Sequence, residues 1–412
     1  MHSNGLDEYI HKKITEGLVP GAVLMISSQG KIVHEAAYGC EQLFYLDQSG
    51  FRASDQSYPL KIAANIKPLT TTQSITVNHI FDLASVTKVL VTSFAIMLLL
   101  DAGSIALNKP LHQYLPIFNT ADKRDITLAQ LITHSAGFIP WVPLYYHADN
   151  PKDAINYIAQ LSLQYLPGTQ YLYSDLGFIT LGYLIEQITG YSLDNFIKKY
   201  LFHKLNLHKA TFNPDKHKYP FAATSHGNPY EYNLITSNKF GSQQPEDIEK
   251  FTKWRDYTLI GEVSDGNAFY AFHDIAGHAG LFATAAEVNT LLELVNNHGY
   301  FSNKLVIKPE TIKLLTRDCG LHFCLGWKIF NQELQAVLAQ TDFVTHKVIG
   351  HLGFTGTLVL CIPEQRLNII LLTNRQNLGL NAQGVYNDLT EFRQEVIRKV
   401  ITSFPQTSKK PN

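Results

Sequence analysis

A serine and a lysine three residues apart are the strongest candidates in this sequence for residues that do chemistry together. Ser85 and Lys88 stand just before an apolar run, residues 89–100. If a helix begins near Ser85, this spacing puts both side chains on one face, one turn apart. The apolar run predicts a buried helix, and burial lowers the pKa of a lysine because it disfavours the charged form. The pair therefore predicts a serine nucleophile with a neutral lysine as its base.

The Ser-x-x-Lys pattern alone is weak evidence, because a chain of this length produces such matches by chance. A second match, Ser28 to Lys31, has Gln29-Gly30 between two alternating apolar runs and is interpreted as a hairpin turn with its side chains in water. For Ser85 alone, a helix N-cap serine followed by a solvated lysine is a sufficient interpretation. Other motifs must decide between these interpretations.

The next candidate residues, Tyr173 and Asp175, lie between a Pro-Gly turn and an apolar helix predicted over residues 179–189. We expect both on a loop that could face Ser85. A tyrosine relays a proton efficiently only where a nearby cation lowers its pKa from about 10, and Lys88 could supply that charge.

A third motif lies in the glycine-rich residues 350–357, between two predicted strands, and contains His351 and Gly353. Nucleotide binding is a weak interpretation of this segment, because its glycines have the spacing Gly-x-x-Gly-x-x-Gly and lead into a strand instead of a helix.

The composition excludes several classes of partner. The chain has 412 residues, 45% hydrophobic and 17% charged, with a net charge of −1. That balance gives no electrostatic footprint for nucleic acid or an anionic membrane. The cysteines form no Cys-x-x-Cys pair, and one histidine pair lies five residues apart, a poor spacing for one helix face, so we predict free thiols, no metal and no cofactor. These residues are Cys40, Cys319, Cys324, Cys361, His273 and His278.

Residues 1–21 contain no apolar segment of the kind found in signal peptides, and residues 89–100 are too few to span a bilayer. We therefore expect a cytoplasmic protein without a membrane span, although a sequence trimmed of its signal peptide would look the same.

Hydrophobic periodicity predicts an α/β (α+β) fold: an antiparallel sheet flanked by N- and C-terminal helices, with a large, mainly helical insert. The predicted terminal elements are a helix over 5–18, a hairpin over 22–38, strands at 327–330, 357–362 and 367–373, and a helix over 386–404. We expect residues 1–78 and 320–412 to form a discontinuous sheet domain and residues 79–319 a helical domain, with the active site between them.

Some segments and side chains have a structural interpretation. Residues 41–77 and 213–260 show no clear periodicity, and the first of them is either a lid or a surface insertion. We expect a structural hydrogen bond from His134, a helix cap from Thr127, and a capping box from Thr284 with Glu287.

The three motifs Ser85-x-x-Lys88, Tyr173-x-Asp175 and His351-x-Gly353 occur in this order along the chain. In these motifs the sequence resembles the serine β-lactamase and penicillin-binding-protein superfamily, on the class C β-lactamase side that also holds Ser-x-x-Lys esterases and D-amino-acid peptidases. The resemblance covers nearly the whole chain and includes the segments 81–88, 126–138, 167–178, 280–284 and 371–375.

The resemblance implies that Ser85 attacks a carbonyl to form an acyl-enzyme, which water then hydrolyses. Lys88 and Tyr173 would share the role of base. The backbone N–H groups of Ser85 and Phe354 would form the oxyanion hole, and Gly353 would let the strand edge approach the substrate.

Two departures from the family pattern bear on the substrate. Asp175 stands where the family usually has asparagine, and a carboxylate beside Lys88 would hold the lysine protonated. His351 stands where β-lactamases often have lysine, and its side chain is mostly neutral at pH 7. Both departures argue against efficient β-lactam hydrolysis, and the histidine looks like the esterase and D-aminopeptidase branches.

The sequence thus predicts a serine hydrolase acting on a small ester. A D-aminoacyl peptidase or amidase and a weak β-lactamase are the nearer alternatives. A ligand sensor or scaffold is the alternative of another class, favoured if Asp175 keeps Lys88 charged. The natural substrate, the oligomeric state and the roles of residues 41–77 and 213–260 are left open by the sequence.

Overall fold

The computed structural model describes residues 4–50, 57–237, 246–317, 323–339 and 346–403. Numbered in chain order, the strands are β1 (Gly21–Ser28), β2 (Lys31–Gly39), β3 (Phe44–Leu46), β4 (Ile66–Pro68), β5 (Phe81–Asp82), β6 (Phe282–Ala283), β7 (Tyr300–Phe301), β8 (Lys304–Leu305), β9 (Phe323–Cys324), β10 (Trp327–Ile329), β11 (Ile349–Leu352), β12 (Leu358–Ile362) and β13 (Leu367–Thr373).

The α-helices are α1 (Asn4–Thr15), α2 (Tyr58–Asn65), α3 (Phe94–Asp101), α4 (Leu128–Ile132), α5 (Pro151–Gln160), α6 (Asp175–Thr189), α7 (Leu193–Ile197), α8 (Pro229–Ser237), α9 (Ala285–Asn296), α10 (Pro309–Ile312), α11 (Gln335–Leu338) and α12 (Thr390–Ser403). Most of them lie between the two sets of sheet strands in sequence, as predicted. Helix α12 begins later than residue 386.

The main sheet is built from both ends of the chain. Its seven strands lie in the order β2-β1-β13-β12-β11-β10-β9, and all neighbouring pairs are antiparallel. The hairpin prediction is confirmed: Gln29 and Gly30 both have positive φ, 51° and 76°, as a two-residue hairpin turn requires. The division into two domains stays a prediction.

Strand β11, which carries His351, is missing from the prediction. The sequence pattern places residues 350–357 between two predicted strands, but Gly350 lies inside β11, where an added Cβ would be 2.0 Å from the Val359 backbone oxygen. The glycine therefore permits a close approach of β11 to β12 and does not end the strand.

The sheet is buried on both faces. Leu24 and Ile26 of β1 pack with α1 and α12, whereas Val23 and Met25 face the core shared with α9 and the helical insert. This alternation follows from the two-residue period of a strand. Strand β1 is covered on both faces, which explains why residues 22–26 are all apolar.

The helix that begins at Ser85 is irregular. It starts as a 3₁₀ turn (Ala84–Val86), continues as a π-helix (Lys88–Ser93) and becomes α-helical only in α3. By length and composition the whole stretch Ala84–Asp101 could cross a membrane, but 78% of it is buried inside the fold. It is thus a core helix, and no membrane span is evident in the described ranges; the cytoplasmic location stays a prediction.

The two segments without clear periodicity contain regular elements. Strands β3 and β4 pair with each other, and α2 packs against α8, which comes from the second segment. The Tyr58 hydroxyl accepts the Asn228 backbone N–H at 2.9 Å and donates to the Arg255 carbonyl. The described part of residues 41–77 therefore packs against the second segment; residues 51–56 lie outside the described ranges.

Two of the expected structural roles are confirmed and one is only half right. Thr127 caps α4 in a complete capping box. Cys40 and Cys361 are free thiols, and Cys319 lies outside the described residues. Thr284 caps α9. Glu287 does not complete that box, because one of its carboxylate oxygens accepts the backbone N–H groups of His208 and Lys209, at 2.8 and 2.6 Å.

Candidate active site

Ser85 lies on a turn that a buried carboxylate holds in shape. One oxygen of Asp82 accepts the Ala84 N–H and the other accepts the Ser264 N–H, both at 2.8 Å. Ala84 has a positive φ of 46°, a strained conformation for a residue with a Cβ. Asp82 was not predicted as a site residue; its only sequence signal is a position three residues before Ser85.

Lys88 is fully buried and touches Ser85. Its Nζ lies 2.9 Å from the Ser85 Oγ, 3.1 Å from the His278 carbonyl oxygen and 2.7 Å from Asp175 Oδ1. These three acceptors match the three N–H groups of an ammonium. Ser85 and Lys88 are therefore neighbours, as their spacing predicts.

The prediction that Lys88 is neutral is wrong. Burial alone lowers the pKa of Lys88, but the charges of Asp175 and Tyr173 and their hydrogen bonds raise it overall, above the usual lysine value. Lys88 therefore carries a positive charge at neutral pH, which agrees with the separate expectation that Asp175 would hold it protonated.

Asp175 is a helix residue, not a loop residue. Helix α6 begins at Asp175, four residues earlier than predicted, because Ser174 is the N-cap and its hydroxyl accepts the Gly177 N–H at 3.4 Å. The first turn of a helix favours an anion. The carboxylate of Asp175 thus faces Lys88 from a rigid element.

Tyr173 lies next to this pair and is partly buried. Its ring centroid is 5.0 Å from the Lys88 Nζ. Burial raises the pKa of Tyr173 more than the Lys88 charge lowers it. The expectation that Lys88 lowers the pKa of Tyr173 below its ordinary value is therefore wrong, and the resting Tyr173 is a neutral phenol.

His134 and His351 lie behind Tyr173. His134 Nδ1 accepts the Ser174 N–H at 3.1 Å, which confirms the expected structural hydrogen bond. His351 Nδ1 donates to the Leu352 carbonyl at 2.8 Å, and burial, helped by the Lys88 charge, lowers the pKa of His351 to about 3. The predicted neutral His351 is confirmed, but its side chain does not line the cavity described below.

Gly353 joins the sheet to the turn before Ser85. An added Cβ would be 1.9 Å from the Thr357 Oγ1 and 2.6 Å from the Leu83 carbonyl oxygen. Only a glycine lets the end of β11 approach the turn so closely. Gly353 therefore contacts Leu83 and Thr357 in the structure, and its contact with a substrate stays a prediction.

Phe354 lies at the rim of the site, and 41% of it is exposed. Its carbonyl accepts from Arg375, while its backbone N–H donates to no group within the described ranges. That N–H is consistent with the oxyanion role implied by the resemblance, which stays a prediction.

These residues border a cavity of about 220 Å³. Its walls combine aromatic rings with carboxylates, and Ser85 lies in its lining. The lining includes Ser85, Trp141, Tyr173, Asp175, Asn228, Tyr230, Glu231, Asp265, Phe354 and Tyr386.

Two further carboxylates, missed in the sequence, line the cavity. Asp265 pairs with His278, Oδ1 to Nε2, at 2.9 Å. Glu231 accepts the Gly266 N–H at 2.7 Å and the Tyr145 hydroxyl at 2.8 Å. They come from segments without a motif, so no spacing could have revealed them.

The ligand atoms of Asp175, Asp265 and His278 lie within 4.8 Å of one another, close enough to bind one metal ion. The Lys88 ammonium lies 2.7 Å from Asp175 and already supplies a positive charge beside these ligand atoms. The predicted absence of a metal stays a prediction.

An antiparallel sheet whose strand β11 ends beside a core helix with a touching Ser-x-x-Lys pair defines the serine β-lactamase and penicillin-binding-protein class of fold. The chain belongs to the β-lactamase family, because the Beta-lactamase family model matches residues 6–388. The resemblance and the fold class predicted from the sequence are thereby confirmed.

Two curated relatives cover most of the chain. It is 29% identical over 390 residues to an N-acetylmuramyl-L-alanine amidase of Bacillus subtilis, spanning 90% of this chain and 80% of that protein. It is 26% identical over 388 residues to an Escherichia coli protein provisionally named D-alanyl-D-alanine carboxypeptidase, spanning 90% and 82%. Family and relatives together indicate a hydrolase.

Solved structures show the same fold. A class C β-lactamase from Rhodobacter sphaeroides superposes with a TM-score of 0.62 at 15% identity, covering 97% of this chain and 99% of the other. The hydrolase EstCE1 superposes with a TM-score of 0.65 at 18% identity, covering 97% of each chain.

Proposed function

We propose that this protein is a serine hydrolase in which Ser85 attacks the carbonyl of a small ester and forms an acyl-enzyme that water then hydrolyses. The observation that carries the proposal is the 2.9 Å contact between the Ser85 Oγ and the buried Lys88 Nζ beside a cavity. A nucleophile and a candidate base within hydrogen-bond distance are the geometric requirement of such chemistry.

The charge on Lys88 determines how the first step must run. A protonated Lys88 donates to Ser85 and cannot accept its proton. The active form therefore has a neutral Lys88, which takes the Ser85 proton as the Oγ–C bond forms and then returns it to the leaving group. Tyr173 shares the role of base as a relay, because its neutral hydroxyl can accept the Ser85 proton only as it passes its own proton to the neutral Lys88. The N–H groups of Ser85 and Phe354 stabilise the oxyanion.

An amide of an amino acid or a small peptide is the second candidate substrate. The names of the two curated relatives, an amidase and a provisional carboxypeptidase, favour it. The neutral His351 disfavours a β-lactam, because it offers no cation for the drug's carboxylate. A sensor or scaffold remains the alternative of another class, favoured by the protonated resting state of Lys88.

Steady-state hydrolysis of a short-chain p-nitrophenyl ester and of a D-aminoacyl p-nitroanilide tests the proposal. Ser85→Ala is expected to lower kcat/KM by roughly 10³-fold or more on whichever substrate the wild type hydrolyses. The matched control is Ser28→Ala, at the other Ser-x-x-Lys match, which lies in the β1–β2 hairpin and should behave as wild type. Equal activity of wild type and Ser85→Ala would contradict the proposal.

A further inference from the structure

The cavity beside Ser85 has an unbalanced charge. Asp175, Asp265 and Glu231 line it, and among the described lining residues none is a lysine, an arginine or a histidine. The nearest cation, Lys88, has Asp175 as its counter-ion. Asp265 has His278 as its partner at 2.9 Å, but His278 does not line the cavity, and Glu231 has no cation in the lining.

The nearby arginines are directed elsewhere. Arg255 pairs with Glu262 at 3.0 Å and donates to the carbonyls of Val263 and Ser264. Arg375 donates to the carbonyls of Asn387 and Phe354. Its guanidinium carbon also lies 5.5 Å from the ring centroid of Phe354 and 5.7 Å from that of Tyr386, so a cation already lies near these two rings. Neither guanidinium lines the cavity, so neither is placed to bind an anionic substrate there.

Aromatic rings form another part of the lining. The centroids of Tyr230 and Phe354 are 4.9 Å apart, those of Phe354 and Tyr386 5.6 Å, and those of Tyr230 and Tyr386 5.9 Å. Trp141 and Tyr173 contribute two further rings. Ring faces together with carboxylates are the combination that binds an ammonium group, through cation–π contact and Coulomb attraction.

We propose that the cavity selects ester or amide substrates that carry an ammonium group, primary or quaternary, near the reacting carbonyl. This inference rests on the proposed function, because it concerns the substrate of the same Ser85. It adds the charge of the substrate to the proposed function.

Glu231 makes this selectivity depend on pH. Burial, and next the Asp265 carboxylate, raise the pKa of Glu231 to about 8. Below that pH Glu231 is mostly a neutral acid, and above it a carboxylate, so attraction for an ammonium group grows as the pH rises through 8. The other titratable or charged groups facing Glu231 are Asp265, Arg255, Tyr145, Tyr270 and Tyr386.

Two p-nitrophenyl esters of equal shape test the inference. One has a γ-(trimethylammonio)butyryl acyl group, and in the other a carbon atom replaces the nitrogen. The leaving group is the same and the quaternary charge does not titrate. We expect kcat/KM to be about tenfold or more higher for the charged ester at high pH, and the ratio of the two values to rise as the pH passes through about 8.

Glu231→Gln keeps the side-chain length but cannot ionise, so it should lower the ratio and remove its rise with pH. Glu186→Gln is the matched control, a partly buried glutamate on α6 outside the cavity, and should retain both. The wild-type pH dependence tests the inference even if Glu231→Gln fails to fold.

The outcomes separate the two proposals. A ratio near one, or one independent of pH in the wild type, overturns the inference while Ser85-dependent release leaves the proposed function intact. Release of neither ester above the Ser85→Ala level contradicts the proposed function and, with it, the inference.

Discussion

At the scale of single residues, the ion pair between Lys88 and Asp175 controls the candidate base. The two side chains are 2.7 Å apart and Lys88 is fully buried. Because Asp175 raises the pKa of Lys88, the neutral lysine that could accept the Ser85 proton is scarce at neutral pH. The family's usual asparagine would not have this effect.

Asp175→Asn should therefore allow Lys88 to act as a base at lower pH. Removing the carboxylate lowers the pKa of Lys88, so the rise of kcat/KM with pH should move to lower pH by roughly one unit or more. Hydrolysis of a β-lactam or an anilide relative to an ester should increase. Both are read from pH–rate profiles on matched substrates, with the free energy of unfolding measured in parallel.

The control for this prediction is Asp125→Asn, an exposed aspartate 3.8 Å from Arg124. An unchanged profile and an unchanged ester-to-lactam ratio in Asp175→Asn would count against this account of Lys88.

At the scale of elements, the packing of α6 against the segment that follows Gly277 positions Lys88. An added Cβ on Gly182 would be 2.8 Å from Gly277 backbone atoms, and one on Gly277 would be 2.9 Å from Gly182. The neighbouring His278 carbonyl is an acceptor for Lys88. The close contact between Gly182 and Gly277 therefore helps to position the His278 carbonyl that accepts from Lys88.

Gly182→Ala should reduce the free energy of unfolding by about 1–3 kcal/mol and lower kcat/KM, because the added methyl group pushes the Gly277 segment away. Gly177→Ala in the same helix is the control, since its nearest neighbour would be 3.6 Å from the new Cβ. Denaturant unfolding and ester hydrolysis check both variants. Equal stability of the two variants would show that the contact is not tight.

At the scale of the whole molecule, both termini build the sheet and the intervening chain supplies the nucleophile. The sheet contacts the segment before the nucleophile directly. Thr355 donates to the Asp82 carbonyl at 2.7 Å, and Gly353 packs on Leu83. The chain's net charge is −1, yet the cavity concentrates three acidic side chains, those of Asp175, Asp265 and Glu231. This local imbalance is the reason for the charge selectivity inferred above.

Much of this architecture could be predicted from the sequence, because local signals encode it. The Ser85–Lys88 spacing, the β1–β2 hairpin and the order of the motifs are all contained in short segments. The charge state of Lys88 could not be derived from burial alone, since it depends on Asp175, which lies 87 positions further along the chain. Asp265 and Glu231 had no motif, and only the fold brings them to the cavity.

The most direct test of the central claim is rapid mixing of the wild type and Ser85→Ala with a short-chain p-nitrophenyl ester. An acyl-Ser85 intermediate predicts a burst of p-nitrophenol stoichiometric with the wild-type enzyme and absent from the variant. The same burst from both proteins would contradict Ser85 as the nucleophile. No release by either protein, with the ester or with a D-aminoacyl anilide, would contradict hydrolysis itself and favour the sensor or scaffold.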